Sequence, residues 1–96
     1  MTIYALSSGP GLSGIAVIRV SGPDTKKVLE YITFSPIPAP KVASLRKFIN
    51  PRTKILIDEG ILLWFPGPES YTGEDMAEFH VHGSKAVIDA MHSSIS

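Results

Sequence analysis

Cysteine is absent from the sequence, so neither a disulfide scaffold nor a thiolate zinc site is open to it. Net charge is absent too: nine Lys plus Arg balance nine Asp plus Glu over 96 residues. Gripping a phosphate backbone as a main task needs a basic surface, which this balance does not provide. No apolar run reaches the roughly 18 residues of a membrane helix. The opening Met1-Thr2-Ile3-Tyr4 has no basic segment and no signal-peptide cleavage site after it. Together these absences predict a soluble chain in a reducing, cytoplasmic setting. With 44% apolar and only 19% charged residues, disorder driven by charge and low hydrophobicity is excluded as well. The length allows one domain, and a chain of this size buries roughly two-thirds of its unfolded surface, so the core is small.

What is present alternates apolar runs with glycine and proline. Ile3 to Leu6 is a first short strand, and Ile15 to Val20, rich in β-branched residues and apolar on both sides, reads as a central strand. Ser21-Gly22-Pro23-Asp24 carries a helix-capping signature, with Ser21 as the acceptor for the first turn. The helix that follows shows one face of Val28, Leu29 and Ile32, and should end near Thr33, before Pro36-Ile37-Pro38-Ala39-Pro40. Ala43 to Ile49 and Ile55 to Phe65 read as a strand and its return around Asn50-Pro51-Arg52-Thr53, with a bulge expected near Asp58-Glu59-Gly60. Thr72-Gly73-Glu74-Asp75 marks a short turn. Glu78-Phe79-His80-Val81-His82 alternates polar and apolar, as a strand covered on one face does. A last helix places Val87, Ile88, Met91 and Ile95 on one side and meets no stop signal before Ser96, so the chain reads as part of something longer. The order β-β-α-β-β-β-α predicts an α+β fold, a small mixed or antiparallel sheet with helices packed on it.

Three features invite a chemical reading. Gly9-Pro10-Gly11-Leu12-Ser13-Gly14 matches a dinucleotide fingerprint by letter, but that mechanism needs a helix to start there, and a strand follows instead. A connecting loop is the better reading, although its glycines let backbone approach a ligand closely. No phosphate-binding P-loop motif occurs. Glu78, His80 and His82 share one strand face, which could carry a metal; a polar, solvent-facing edge is the plainer account. Arg19 stands alone in an apolar strand, where an unpaired guanidinium is costly. Its partner is either a protein carboxylate, with Glu78 the evident candidate, or an acidic or carbonyl-bearing ligand.

Longer stretches carry a resemblance. Ser8-Gly9-Pro10-Gly11, Gly14 to Pro23, the run Trp64-Phe65-Pro66-Gly67-Pro68-Glu69-Ser70-Tyr71-Thr72-Gly73-Glu74-Asp75, and Glu78 with His82-Gly83 resemble the start of the tRNA modification GTPases of the MnmE (TrmE) family, in order and spacing. Members of that family join an N-terminal folate-binding domain to a helical domain with a GTPase domain inserted in it. The resemblance implies that residues 1–96 are the N-terminal folate-binding and dimerisation domain, truncated on its C-terminal side. Its fold is then similar to the folate-binding domain of aminomethyltransferases. The intact protein is then a GTP hydrolase that modifies C5 of the wobble uridine of tRNA with an FAD-containing partner, MnmG. GTP, Mg and K would belong to the missing GTPase domain, so this chain alone should be inactive.

The same resemblance assigns a tetrahydrofolate derivative, the 5-formyl or 5,10-methylene form, to Arg19 and Glu78. It leaves Gly11, Gly14, Tyr71, Thr72 and His82 as candidates for the border of that pocket. A pterin presents a ring N–H beside an exocyclic amino group, and a carboxylate can accept both at once. An arginine can hold a pterin carbonyl or the carboxylates of the glutamate tail. Departures exist: His80-Val81 stands where relatives often have an amide and a small residue, and Ser84-Lys85 replaces a second glycine. The alternative from another class is a small metal-binding enzyme built on Glu78, His80 and His82.

Overall fold

The computed structural model describes residues 2–6 and 14–95. Five strands, β1 (Ile3–Leu6), β2 (Ile15–Ser21), β3 (Ser44–Ile49), β4 (Leu56–Phe65) and β5 (Met76–His82), form one sheet in the order β1-β2-β5-β4-β3. Every pairing is antiparallel, so the sheet is antiparallel rather than mixed. Helices α1 (Thr25–Thr33) and α2 (Lys85–Ile95) complete an α+β fold. The insertion of β5 between β2 and β4 joins segments far apart in sequence, and it builds the site described below.

Both helices lie on one face of the sheet. Leu29 and Ile32 of α1 and Met91 of α2 bury against Ala16, Ile18 and Val20 of β2, Leu62 and Trp64 of β4, and Ala77, Phe79 and Val81 of β5. Phe48 of β3 meets Phe79 edge to face, with ring centroids 5.2 Å apart, a favoured aromatic geometry. The alternation of the strands thus sorts the apolar residues onto the helix side. β2 is central, as its composition predicts, but it is covered on one side only. Ala16, Ile18 and Val20 are buried while Ile15 and Arg19 are exposed.

Two local expectations change. Ser21 does not cap α1. Asp24 is the N-cap residue and makes no side-chain capping bond. Thr25 Oγ1 donates instead to the carbonyls of Gly22 and Asp75, at 2.9 and 3.1 Å. Ser21 points the other way because it closes β2 on the face opposite the helices. The bulge falls at Ile57, just before the expected triplet: Phe48 pairs with Asp58 and Ile49 with Leu56, leaving Ile57 as the extra residue. The αL conformation of Phe34, with its N–H on the Glu30 carbonyl at 3.0 Å, ends α1 ahead of the proline loop.

Candidate functional site

On the face away from the helices the register sets side chains in rows. Arg19 of β2, Glu78 of β5 and Leu63 of β4 form one row; Val17, His80 and Ile61 form the next. Arg19 Nε donates to Glu78 Oε2 at 2.7 Å, and His80 Nε2 donates to Glu78 Oε1 at 3.0 Å. The protein carboxylate is therefore Arg19's partner in this structure, and both oxygens of Glu78 are engaged. The Glu78 side chain is 12% exposed and that of Arg19 49%. Burial works to raise the Glu78 carboxyl, but the bonds and charges of His80 and Arg19 outweigh it and hold the group below its ordinary value. Glu78 is thus an anionic, acceptor-only hub between two donors. Arg19 uses Nε for its bond to Glu78, and its side chain remains half-exposed.

Beside Arg19 lies a cavity of about 340 Å³, walled by Phe65, Tyr71 and Met76, with Glu69 and Ser70 on its rim. The loop between β4 and β5 that forms this wall is held by hydrogen bonds to its surroundings. Asp75 takes the Gly67 N–H on its side chain and the Gly22 N–H on its carbonyl, each at 2.9 Å. Thr72 Oγ1 meets Ser21 Oγ at 2.9 Å, and Ser70 Oγ donates to the Glu74 carbonyl. Gly73, at φ +81, makes the turn that brings Asp75 back to β5. Tyr71 stands 94% exposed at the cavity mouth.

The opposite end of the same strands carries a second arrangement. Asp58 accepts the backbone N–H of His82 at 2.8 Å and its ring Nδ1 at 2.9 and 3.0 Å. The ladder between β4 and β5 stops at Ile61 and His80, and the Asp58 carboxylate replaces the next backbone acceptor. Burial pushes the Asp58 carboxyl up, but the bonds from His82 and Glu59 prevail and lower it. A smaller cavity of about 170 Å³ sits between Ile15, Glu59, Gly60, Ile61, His80 and His82.

A family model, described as the GTP-binding protein TrmE N-terminus, matches residues 2–96. The chain belongs to that family. It is 71% identical, over its whole length, to the tRNA modification GTPase MnmE of Pelagibacter ubique (strain HTCC1062), of which it covers 22%. Over 94% of its length it is 56% identical to the mitochondrial 5-taurinomethyluridine-[tRNA] synthase subunit GTPB3 of Danio rerio, and 50% identical to that of Homo sapiens, covering 18% of each. The chain thus spans about a fifth of the length of the curated relatives it matches.

Within this TrmE N-terminal chain the residues expected at the site separate into two groups. Arg19, Tyr71 and Thr72 gather at one end, with Glu78 bonded to Arg19 behind the cavity. Gly14 and His82 lie at the other end, where the Gly14 carbonyl accepts the Gly83 N–H at 3.1 Å. The seven residues of β2 span about 20 Å, so a ligand bordered by both groups must run along the strands. Gly11 and most of the glycine loop fall outside the described residues. Of the residues of the metal alternative, His80 turns to Glu78 and His82 to Asp58. Among the described residues no group of three or more His, Asp and Glu is arranged to hold a metal ion. Nor is any described helix long and apolar enough to cross a membrane. Sequence reasoning missed Asp58, Phe65 and Met76, because it had no means of knowing which strand β5 would neighbour.

Proposed function

We propose that this chain is the reduced-folate-binding and dimerisation domain of a GTPase that modifies C5 of the wobble uridine of tRNA. The observation that carries the reading is Arg19, bonded to Glu78, lining a cavity beside Phe65 and Tyr71. Its volume of about 340 Å³ is at the lower end for small-molecule sites. The donor set suits a pterin. Glu78 offers an anionic acceptor for a ring N–H and its neighbouring amino group. Arg19, half-exposed and lining the cavity, would hold a carbonyl or a tail carboxylate through its guanidinium. Phe65 and Tyr71 give flat surfaces for a bicyclic ring. The bound folate would supply a one-carbon unit, and this chain's residues would bind and orient it. GTP, Mg and K, the FAD-containing partner MnmG and the tRNA would engage other parts of the protein.

The relatives' names, which state tRNA modification and GTPase activity, support the wider context. Dimerisation is supported by the uncovered sheet face, where Ile61, Leu63 and Phe65 stand half-buried with no helix over them. Sedimentation should show a dimer at about 50 µM, well above the dissociation constant of a stable pair; a clean monomer would remove that part of the reading. Isothermal titration with 5-formyltetrahydrofolate should show saturable micromolar binding, a free energy of about −8 kcal/mol. The absence of a heat change and of any thermal stabilisation by the ligand would refute the folate assignment.

A further inference from the structure

Resting on the folate reading, we propose that Glu69 is the residue that makes the cavity select a reduced pterin over the oxidised ring. The cavity of about 340 Å³ is lined by one cation, Arg19, and one anion, Glu69, and the rest of its lining is mainly apolar. Glu78 stands behind Arg19, to which it bonds at 2.7 Å. Glu69 is the carboxylate on the surface of the cavity itself. The loop that carries it is anchored on both sides. Two residues before Glu69, the Gly67 N–H donates to Asp75 at 2.9 Å. Directly after it, Ser70 donates its hydroxyl to the Glu74 carbonyl and accepts the Gly73 N–H on its own carbonyl at 3.2 Å. The backbone therefore holds Glu69 at the rim instead of leaving it on a loose loop.

A pterin has two polar edges. One carries the carbonyl, the N3–H and the 2-amino group, the set that the folate reading gives to Arg19 and Glu78. The other carries N8, and the proposal sets that edge at Glu69. In a tetrahydropterin N8 bears a hydrogen and donates; in the oxidised ring N8 is a bare lone pair and accepts. A carboxylate offers acceptors only. Glu69 therefore gains a charge-assisted hydrogen bond from a reduced ring and faces a lone pair with its own lone pairs when the ring is oxidised. A site built to take an N–H rejects the analogue that lacks it. Glu69 is exposed, so water competes for both effects, and the discrimination from this residue is about tenfold, the worth of one net hydrogen bond.

The test titrates the wild-type protein, Glu69→Gln and Glu69→Ala with two ligands: 5-formyltetrahydrofolate, which keeps the N8 hydrogen, and folic acid, which lacks it. The wild-type protein should bind the reduced ligand about tenfold more tightly or better. Glutamine can turn its NH2 to a bare N8, and alanine meets neither form. In both variants the ratio of the two affinities should therefore fall about fivefold to tenfold. Both should keep the wild-type melting temperature within a few degrees, because the position is exposed. A ratio that stays at the wild-type value in either folded variant overturns the proposal. So does an equal tightening of both ligands, the result expected if Glu69 only repels the anionic glutamate tail that they share. A wild-type protein that binds both ligands equally sinks this inference and leaves the folate reading standing. One that binds neither removes the folate reading and this inference together.

Discussion

Replacing Gly60 by alanine should lower the melting temperature by about 15 °C or more, or prevent folding. A Cβ built on Gly60 would lie 2.0 Å from the His80 carbonyl oxygen and 3.1 Å from the Phe48 ring. Neither obstacle is the loose end of a side chain. The first is the backbone of β5, and the second belongs to a fully buried ring that packs edge to face on Phe79. Relief requires β4 and β5 to part where their ladder ends and where Asp58 takes over the His82 N–H. Overpacking a core costs about 1–3 kcal/mol where side chains can adjust, and more where backbone must move. At about 4–8 °C per kcal/mol for a domain of this size, a loss near 3 kcal/mol gives the stated shift. The control is Gly14→Ala, where nothing lies within 4 Å of the new carbon; its melting temperature should stay within a few degrees of wild type. Thermal unfolding followed by circular dichroism decides, and equal effects at the two glycines would contradict the account.

Glu78→Gln should reduce folate affinity roughly ten- to a hundredfold. The pterin's paired donors call for two acceptors, and glutamine would set an amide NH2 against one of them. A buried donor left unpaired costs about 1–3 kcal/mol, which converts to that range of affinity. The variant should fold. The Glu78 side chain is 12% exposed and its carboxylate is bonded to both Arg19 and His80, so the exchange for an amide should cost about 1–3 kcal/mol, at about 4–8 °C of melting temperature per kcal/mol, and leave the domain folded at room temperature. Arg19→Lys should weaken binding too, since an ammonium reproduces neither the planar fork nor the bond from Nε. Titration calorimetry on each variant, with circular dichroism to establish folding, gives the comparison. Wild-type affinity in Glu78→Gln would remove Glu78 from the site.

Periodicity made most of the architecture legible. The alternation of Glu78 to His82 and the apolar faces of both helices identified what is buried, and the elements begin and end within a residue or two of expectation. The opening of β5 is the exception: Met76 and Ala77 belong to the strand and are buried, although the alternating signature starts only at Glu78. Glu78 was legible only as one of two possible partners for Arg19, a carboxylate or a ligand, and the burial cost behind that expectation is reduced because the structure leaves the Arg19 side chain 49% exposed. The dyad of His82 with Asp58 was not. It depends on β5 lying beside β4 and on a bulge at Ile57, which together bring an aspartate to the end of a broken ladder. Sequence distance conceals such juxtapositions. Ser21 misled for a related reason: its position near α1 suggested a cap, while the strand's alternation turned its hydroxyl to Thr72 on the other face.

A crystal structure of the protein with 5-formyltetrahydrofolate tests the central claim most directly. The account predicts the pterin in the cavity beside Phe65 and Tyr71, its ring N–H and amino group within hydrogen-bonding distance of the Glu78 carboxylate, and its carbonyl or tail on the Nη groups of Arg19. A pterin bound elsewhere on the molecule, with the Arg19–Glu78–His80 bonds unchanged, would contradict it.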